Sequence, residues 1–336
     1  MPHTIDTDLY RFREQEPHEQ GFAKVFDTEL LPLLQQAEVA RRALAQKIKN
    51  RMAFATIVVL VFLLAVEWTW GVEAMPLATI VGLSVLAATV LPAFRYTCFY
   101  KREVYPIVAR FLGLEYWPDG LNLLNKVDVK WTNRYISRLP FLRPHASGVL
   151  PFTAGLVGED GFTGTLNGMP LSFEEIHLMG DKSTDFTFGF RAIAVLVELP
   201  VTLKGRVFVK SDRGVANWTH GTFPDMKTVR FDDTSFEAQY EVFAEDDAEA
   251  RALLTTDARD VLMEISALFD HRSIKLSFRG REMFMVIPVR HNLFEVTSLF
   301  RSALLPGDIR LLLKKTWMLE RLVGTLGQSL QDKPAA

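Results

Sequence analysis

The chain of 336 residues has few of the residues that mark enzymes, metalloproteins or small secreted proteins. It contains a single cysteine, Cys98, which excludes a disulfide within the chain and any metal site built from several cysteines. Basic and acidic side chains nearly cancel, at 38 against 40, so the net charge of −2 gives no overall attraction to nucleic acid. We therefore expect no nucleic-acid partner.

Sequence motifs for familiar chemistry are also missing. The 7 histidines do not recur at helical spacing, and no His-Glu-x-x-His pair marks a zinc protease. Neither the Gly-x-Ser-x-Gly turn of hydrolases nor the glycine-rich phosphate loop of nucleotide-binding proteins occurs. We expect no cofactor and no metal site, and no enzyme class is indicated.

Two long apolar runs are the main feature that the sequence does have, at residues 52–70 and 74–94. The first carries no charge from Met52 to Val66 and ends with Trp68 and Trp70, and the second carries no charge at all. A helix needs about 20 apolar residues to cross a bilayer, and tryptophan is typical of the membrane–water interface. We predict a two-helix transmembrane hairpin; the alternative is a pair of buried helices in a soluble core.

The charges around the hairpin predict its orientation. The joining turn, residues 67–73, has two glutamates and no basic residue, whereas basic residues flank the hairpin on both outer sides. Positive residues stay on the cytoplasmic side of a membrane, so both flanks are expected in the cytoplasm. Among them, Arg41, Arg42 and Lys47 are candidate interaction residues at the level of the anionic headgroups.

Residues 1–51 form a predicted cytosolic helical arm. From Phe22 onward, apolar residues recur every three or four positions, which predicts an amphipathic helix. Pro32 either kinks this helix or begins a new one in its first turn. Phe22, Phe26 and Leu30 are the candidate face for docking on a partner or a second copy, and packing against the chain's own cytosolic domain is the alternative.

After a helical connector at residues 95–114, residues 115–330 form a predicted cytosolic α+β domain. Asn167-Gly168, between two β-prone stretches, is the sequence of a tight hairpin turn. Alternating or continuous β-prone runs predict strands at residues 162–166, 169–176, 190–199, 206–210, 236–244, 274–278 and 283–289. Glycines recur every third residue at Gly155, Gly158, Gly161 and Gly164, and turns before the hairpin explain them. Residues 115–150 predict no particular element.

Helices are expected late in the domain. Thr256 is predicted to cap one helix, and an amphipathic helix is predicted from residue 306 to 323, ended by Gly324 or Gly327. The fold class is therefore α+β, a transmembrane hairpin followed by a mainly antiparallel sheet with inserted and C-terminal helices.

Asp246, Asp247, Glu249 and Arg251 form the strongest polar constellation. Paired carboxylates bind hard cations, so a ligand or metal role is one interpretation. The other is local structure: Asp246 and Glu249 have the spacing of a helix capping box, and Arg251 can close an internal ion pair.

The chain resembles a bacterial family catalogued only as the domain-of-unknown-function family numbered 3137. The resemblance covers roughly residues 20 to 300. It is carried by Phe22, Phe26, Leu31-Pro32-Leu33, Tyr100-Lys101, Val104 to Val108, Tyr116, Gly164, Asn167-Gly168, Phe173, Glu175, Leu203-Lys204-Gly205, Val207 to Val209, Phe236, Tyr240, Val242, Asp246, Glu249, Arg251, Leu254-Thr255 and Leu262. Thr256 departs from the family, whose members typically have proline there. The resemblance implies a membrane-anchored cytosolic domain and implies no activity.

Three functional hypotheses follow for a protein of the bacterial inner membrane with two helices and cytoplasmic termini. The first is a scaffold or protein-interaction module whose partners are the lipid bilayer and another protein or a second copy. The second is a small-ligand or lipid-binding module at the membrane. The third is an enzyme with a carboxylate site near Asp246 and Asp247.

Overall fold

The computed structural model divides the chain into two compact units. One comprises Met1–Val108 with Glu295–Arg310, and the other comprises Ala109–Phe294 with Leu311–Ala336. The structure describes residues 11–71, 73, 75–90, 100–121, 123, 156–178, 191–211, 226–269, 274–290, 294, 302, 304 and 306–331.

The described helices and strands are largely grouped in separate runs along the chain, as in an α+β protein. The α-helices are α1 (Phe22–Val25), α2 (Leu31–Trp70), α3 (Met75–Val90), α4 (Tyr105–Phe111), α5 (Thr234–Glu237), α6 (Asp247–Leu253), α7 (Thr256–Leu268) and α8 (Pro306–Gln331). The strands are β1 (Leu114–Trp117), β2 (Leu156–Leu166), β3 (Met169–Leu178), β4 (Arg191–Glu198), β5 (Val207–Ser211), β6 (Lys227–Val229), β7 (Tyr240–Ala244), β8 (Lys275–Arg279) and β9 (Glu282–Val289).

Helix α2 joins the predicted arm and the first apolar run in one element of 40 residues. Pro32 is the second residue of α2 and closely follows the π-helical segment Phe26–Leu30. Among the described residues, one helical stretch, Pro17–Trp70, is long and apolar enough to cross a membrane, judged by length and composition.

Helix α3 contains most of the second apolar run. It is described over 16 residues, and residues 91–94 of the predicted span lie outside the described part of the chain. A Cβ added to Gly82 would lie 2.7 Å from Cγ1 of Val59, so the backbone of α3 approaches α2 closely at this glycine.

All described strands form one nine-stranded sheet in the order β1-β2-β3-β4-β9-β8-β5-β7-β6. Every neighbouring pair is antiparallel, which confirms the mainly antiparallel prediction. Strand β4 is buried on both faces, as a central strand should be, and this explains why its sequence is continuously apolar.

The predicted hairpin turn at Asn167-Gly168 is confirmed. Asn167 and Gly168, at φ 51° and 77°, join β2 to β3 with Leu166 opposite Met169. Positive φ at both central residues is what a two-residue turn of this hand requires, and Asn-Gly accepts it at little cost. Gly280, at φ 56°, lies in the corresponding turn between β8 and β9.

Two predicted elements begin elsewhere. The strand expected from Phe236 begins only at Tyr240, because the carboxylate of Asp233 accepts the N–H groups of Ser235 and Phe236 and starts the short helix α5. Helix α7 is capped by Thr255, whose hydroxyl accepts the N–H of Ala258, so the prediction of Thr256 as cap is wrong by one residue.

The turns predicted from the glycine spacing are wrong for residues 158–164, which lie inside β2. A Cβ on Gly158 would lie 2.6 Å from Cδ of Glu174, and one on Gly161 would lie 2.5 Å from Cγ of Leu121. These glycines therefore allow close approach of neighbouring groups to the strand. The first glycine of the series lies outside the described residues.

The predicted end of the last helix is also wrong, because α8 continues through Gly324 and Gly327 to Gln331. A Cβ on Gly324 would lie 2.7 Å from Nδ2 of Asn167, and one on Gly327 would lie 2.5 Å from Cε of Met169. Both glycines thus let α8 pack closely against the β2–β3 turn rather than ending the helix.

Candidate functional site

The exposed apolar surface of α2 is the feature of the first unit that most strongly indicates contact with something outside the chain. Large apolar side chains of its second half are exposed, with Phe54 at 71%, Leu64 at 66% and Trp68 at 91%. The most apolar stretch of 18 residues in this helix is only 17% buried inside the structure. The core helix of a soluble protein would be mostly buried, so this exposure favours lipid as the surrounding medium.

The predicted basic residues of α2 differ in their surroundings. Glu38 is fully buried and accepts hydrogen bonds from Nε of Arg41 and Nε of Arg42, both at 2.7 Å. Arg41 is mostly buried and Arg42 half-exposed. Lys47 is exposed. One carboxylate therefore holds both arginines, whereas Lys47 faces solvent.

The predicted docking face of the arm is buried. Phe22, Phe26 and Leu30 have no exposed surface, and the ring of Phe12 lies 4.9 Å from that of Phe22 and 5.6 Å from that of Phe26. The periodicity thus marks residues that pack inside the chain. In this conformation they are not on the surface that a partner would contact.

A part-buried ion pair between Arg310 and Glu19 holds the segment before α1 in place. Nε of Arg310 lies 2.6 Å from Oε1 of Glu19, and the Arg310 guanidinium also donates to the carbonyl of Arg13 and lies over the ring of Phe12. Burial alone would raise the pKa of Glu19. The Gln15 N–H, Arg310 and the preceding backbone outweigh it, so the pKa is lowered.

The constellation around α6 serves local structure. Asp246 caps the helix by accepting the N–H groups of Ala248 and Glu249, which confirms its predicted capping role. Asp247 pairs with Arg251 at 2.7 Å, with both side chains about half-exposed. The hydrogen bond from Arg251 to Asp247 raises the pKa of the arginine.

Glu249 has a different role from the capping box predicted for it. Its buried carboxylate accepts the N–H of Lys204 at 3.0 Å and of Gly205 at 2.8 Å. It thereby ties α6 to the chain segment that leads into β5. The four predicted residues are neighbours, but their carboxylates do not converge on one point.

A polar cluster that the sequence did not reveal lies at one end of β2, β3 and β4. Glu159 and Glu175 are directly opposite each other, and Nη1 of Arg191 lies 3.4 Å and 3.0 Å from their carboxylates. His177 is opposite Arg191, with Nδ1 buried and 3.6 Å from Glu159. The guanidinium offsets the repulsion between the carboxylates, and a protonated His177 would pair with Glu159.

Sequence reasoning missed this cluster because its members are far apart along the chain. Arg191 is 32 residues from Glu159 and 16 from Glu175. The signal that could have found it is a pair of opposite charges, Glu175 and Arg191, on predicted strands, since isolated charges are rarely buried. Glu159 precedes the predicted strand and gave no such signal.

A shallow groove of about 440 Å³ runs between α8 and the β2–β3 turn. It is lined by Asn167, Met169, Trp317, Glu320, Arg321, Gly324, Thr325, Gly327 and Gln328. The guanidinium of Arg321 lies over the ring of Trp317 and pairs with Glu264 at 2.5 Å. In the described part of the chain, no group of three or more His, Cys, Asp or Glu side chains is placed to hold a metal ion.

Comparison with known families finds a match for the C-terminal part of the chain. A family model described as a protein of unknown function, DUF3137, aligns with strands β4 to β9 and most of α8. Residues 189–328 match DUF3137. This match confirms the predicted resemblance over the DUF3137 region. The part of the resemblance that lies N-terminal to it remains a prediction.

Comparisons with characterised proteins add little to the DUF3137 match. No curated protein matches the chain. The crystal structure of the mycobacterial trehalose monomycolate transport factor A, TtfA, is similar over 63% of this chain and 92% of that one, with 8% sequence identity and a TM-score of 0.33. A likeness at that TM-score carries no argument about this chain.

Proposed function

We propose that the protein is a membrane-anchored interaction module of the bacterial inner membrane. The apolar helices α2 and α3 cross the bilayer as a hairpin, and the α+β domain that contains the DUF3137 region lies in the cytoplasm. The observation that carries the proposal is the exposed apolar surface of α2, which includes Phe54, Leu64 and Trp68. Lipid is the medium in which such a surface is stable.

The two ends of the apolar segment support its position in the membrane. From Met52 to Trp70, α2 rises about 28 Å at 1.5 Å per residue, close to the thickness of a hydrocarbon core. Basic residues precede this segment, and the exposed Trp68 and Trp70 end it. Cations on the cytoplasmic side and tryptophans at the opposite interface support cytoplasmic termini.

Helix packing supports a paired second span. Within the apolar segment of α2, Ala55 and Val66 are buried and Val59 is partly buried, and the three lie on one stripe at helical spacing. Gly82 of α3 contacts this stripe at Val59. Small residues let membrane helices approach closely, and the remaining surface of α2 is left for lipid.

The cytoplasmic domain is proposed to bind a protein partner or a second copy. The carboxylates of Asp246 and Glu249 are engaged in helix capping and in holding a backbone segment, which favours a structural role over a catalytic one. Trp317 lines the groove beside α8 together with polar residues. Aromatic side chains with a polar end are enriched at protein interfaces.

Membrane extraction tests the anchor. The full-length chain is expected to stay in the membrane pellet after alkaline carbonate treatment. A variant with Leu60→Lys and Leu64→Lys on the exposed apolar surface should be released. Val39→Lys is the matched control, because Val39 is exposed at 64% on the same helix but lies outside the predicted span. Release of the wild-type chain would contradict the proposal.

Site-directed photocrosslinking in cells tests the interaction role. A crosslinker at Gln328, which is exposed in the groove, should give one adduct of defined mass in full-length protein. The same crosslinker at Thr228, an exposed position on β6, is the control. Identical adduct patterns from the two positions, or no adduct from Gln328, would contradict a partner at this groove.

A further inference from the structure

Three exposed cations lie on α2 immediately before its apolar segment: Lys47, Lys49 and Arg51. We call this group the basic collar. Among the residues that the structure describes, no acidic side chain forms an ion pair with any of the three. No acidic residue occurs on the helix between Glu38 and Glu67. Within the part of the chain that the structure describes, the collar therefore carries three positive charges with no ion-pair partner.

The cations further from the apolar segment have an acidic neighbour. Arg41 and Arg42 both donate to the buried carboxylate of Glu38 at 2.7 Å. That carboxylate supplies one negative charge against their two positive charges. The density of positive charge on this part of α2 is therefore highest in the turn and a half that adjoins the apolar segment.

The position of the collar along α2 and the directions of its side chains also suit contact with lipid headgroups. Arg51 is 17 residues before Trp68, a rise of about 25 Å, so a bilayer that places Trp68 at one interface places the collar at the other. A step of two residues turns a helix by about 200°, so Lys49 projects on the opposite side from Lys47 and Arg51. The buried Ile48 lies between the two directions.

We propose that the basic collar binds the headgroups of anionic phospholipids in the cytoplasmic leaflet, on both sides of α2. This inference rests on the proposed function, because it needs α2 in the membrane. Each uncompensated cation near an anionic surface adds attraction, and at this depth the phosphate layer is the nearest source of negative charge. The partner is the lipid itself rather than a soluble anion, since the collar adjoins the exposed apolar surface of α2 that is proposed to lie in the bilayer.

The test uses the full-length protein reconstituted in phosphatidylcholine vesicles with a trace of spin-labelled lipid. The motionally restricted fraction of the label measures lipid held against the protein. Wild type should hold labelled phosphatidylglycerol in preference to labelled phosphatidylcholine, and salt should weaken that preference. In the variant K47Q/K49Q/R51Q the relative association constant should fall, by about five-fold for each cation whose contact is lost.

Two further variants and one control measurement make the outcome decisive. K24Q/K227Q/K314Q removes the same charge from exposed lysines elsewhere and should keep the preference. The conservative variant K47R/K49R/R51K should keep it as well. An unchanged preference in K47Q/K49Q/R51Q, or an equal loss in K24Q/K227Q/K314Q, would overturn the proposal. Carbonate extraction of each variant separates this failure from a failure of membrane insertion, which would instead overturn the proposed function.

Discussion

Two prolines each follow a widened helical turn. Phe26–Leu30 and Tyr100–Val104 are π-helical, and Pro32 and Pro106 come two residues after them. A proline in a helix lacks the N–H for the carbonyl four residues earlier, and its ring crowds that carbonyl. In both cases that carbonyl belongs to the π segment, where the wider turn relieves the conflict.

Glu249 gives the first prediction at the scale of single residues. Glu249→Ala leaves the N–H groups of Lys204 and Gly205 without this acceptor, so we expect a loss of about 1–3 kcal/mol in the free energy of unfolding. Asp247→Ala on the same helix removes a half-exposed ion pair and should cost about 0.5 kcal/mol or less. Thermal unfolding of the detergent-purified full chain compares the two. Equal midpoints would contradict the assigned role of Glu249.

Glu19 predicts a dependence of stability on pH. Its pKa is lowered from the ordinary 4.5, so its ionised form stabilises the fold above about pH 4.5 and this contribution disappears as the pH falls through the lowered value. Glu19→Gln should therefore lower the unfolding midpoint at neutral pH and approach wild type in acid. Midpoints measured across this range check the expectation.

The exposed carboxylate of Asp27 supplies the control for that experiment. Asp27→Asn should leave the pH profile of wild type unchanged. A constant difference between Glu19→Gln and wild type at every pH would show that the charge of Glu19 contributes nothing.

Local chemistry at single residues could be predicted from the sequence, and contacts over distance could not. The Asn167-Gly168 turn and the Asp246 cap depend on neighbours within three residues, and both are confirmed. The contacts of Glu249 span 44 and 45 residues, and no local pattern encodes them. The apolar stripe of the arm can be recognised in the sequence by its spacing of three or four residues. That spacing does not show which residues pack against the stripe and bury it.

At the scale of elements, the glycines of β2 show that a regular glycine spacing can be mistaken for a series of turns. A strand interior is an unfavourable place for glycine unless another group comes close to the backbone. Here Glu174 and Leu121 occupy the space that side chains at positions 158 and 161 would need. Such close approach depends on a second element and therefore cannot be predicted from the strand alone.

These glycines give a prediction for β2. Gly158→Ala and Gly161→Ala should each destabilise the protein by about 1–3 kcal/mol, because the added methyl group collides with the side chain of Glu174 or of Leu121 respectively. Thr165→Ala, at an exposed position of the same strand, should change stability by about 0.5 kcal/mol or less. Thermal unfolding of the three variants is the measurement. A stabilised Gly158→Ala chain would contradict the close approach.

At the scale of the whole molecule, the class of the sheet was predictable and its strand order was not. Alternating patterns located most strands, but the short edge strands β1 and β6 carry too few residues for a pattern. Strand β4 pairs with β9, so the chain between them forms β5 to β8 before it returns to the neighbouring position. Pairing over such separations depends on tertiary packing rather than on local propensity.

Membrane topology supplies the prediction at this scale. Alkaline phosphatase inserted after Gly71 should be active, since it needs the oxidising periplasm to form its disulfides. The same enzyme fused to the C-terminus should be inactive, and a fluorescent protein fused there should fold. Phosphatase activity at the C-terminus would contradict cytoplasmic termini.

The unbroken course of α2 has a mechanical consequence. A helix of 40 residues is a rod of about 60 Å, and the half that precedes the apolar segment is continuous with the half proposed to lie in lipid. Thinning or thickening of a bilayer changes the tilt of a spanning helix. A tilt change of about 10° would swing the far end of a 30 Å protruding segment by about 5 Å. The helix would thus act as a lever that converts membrane thickness into displacement of the buried residues at its N-terminal end.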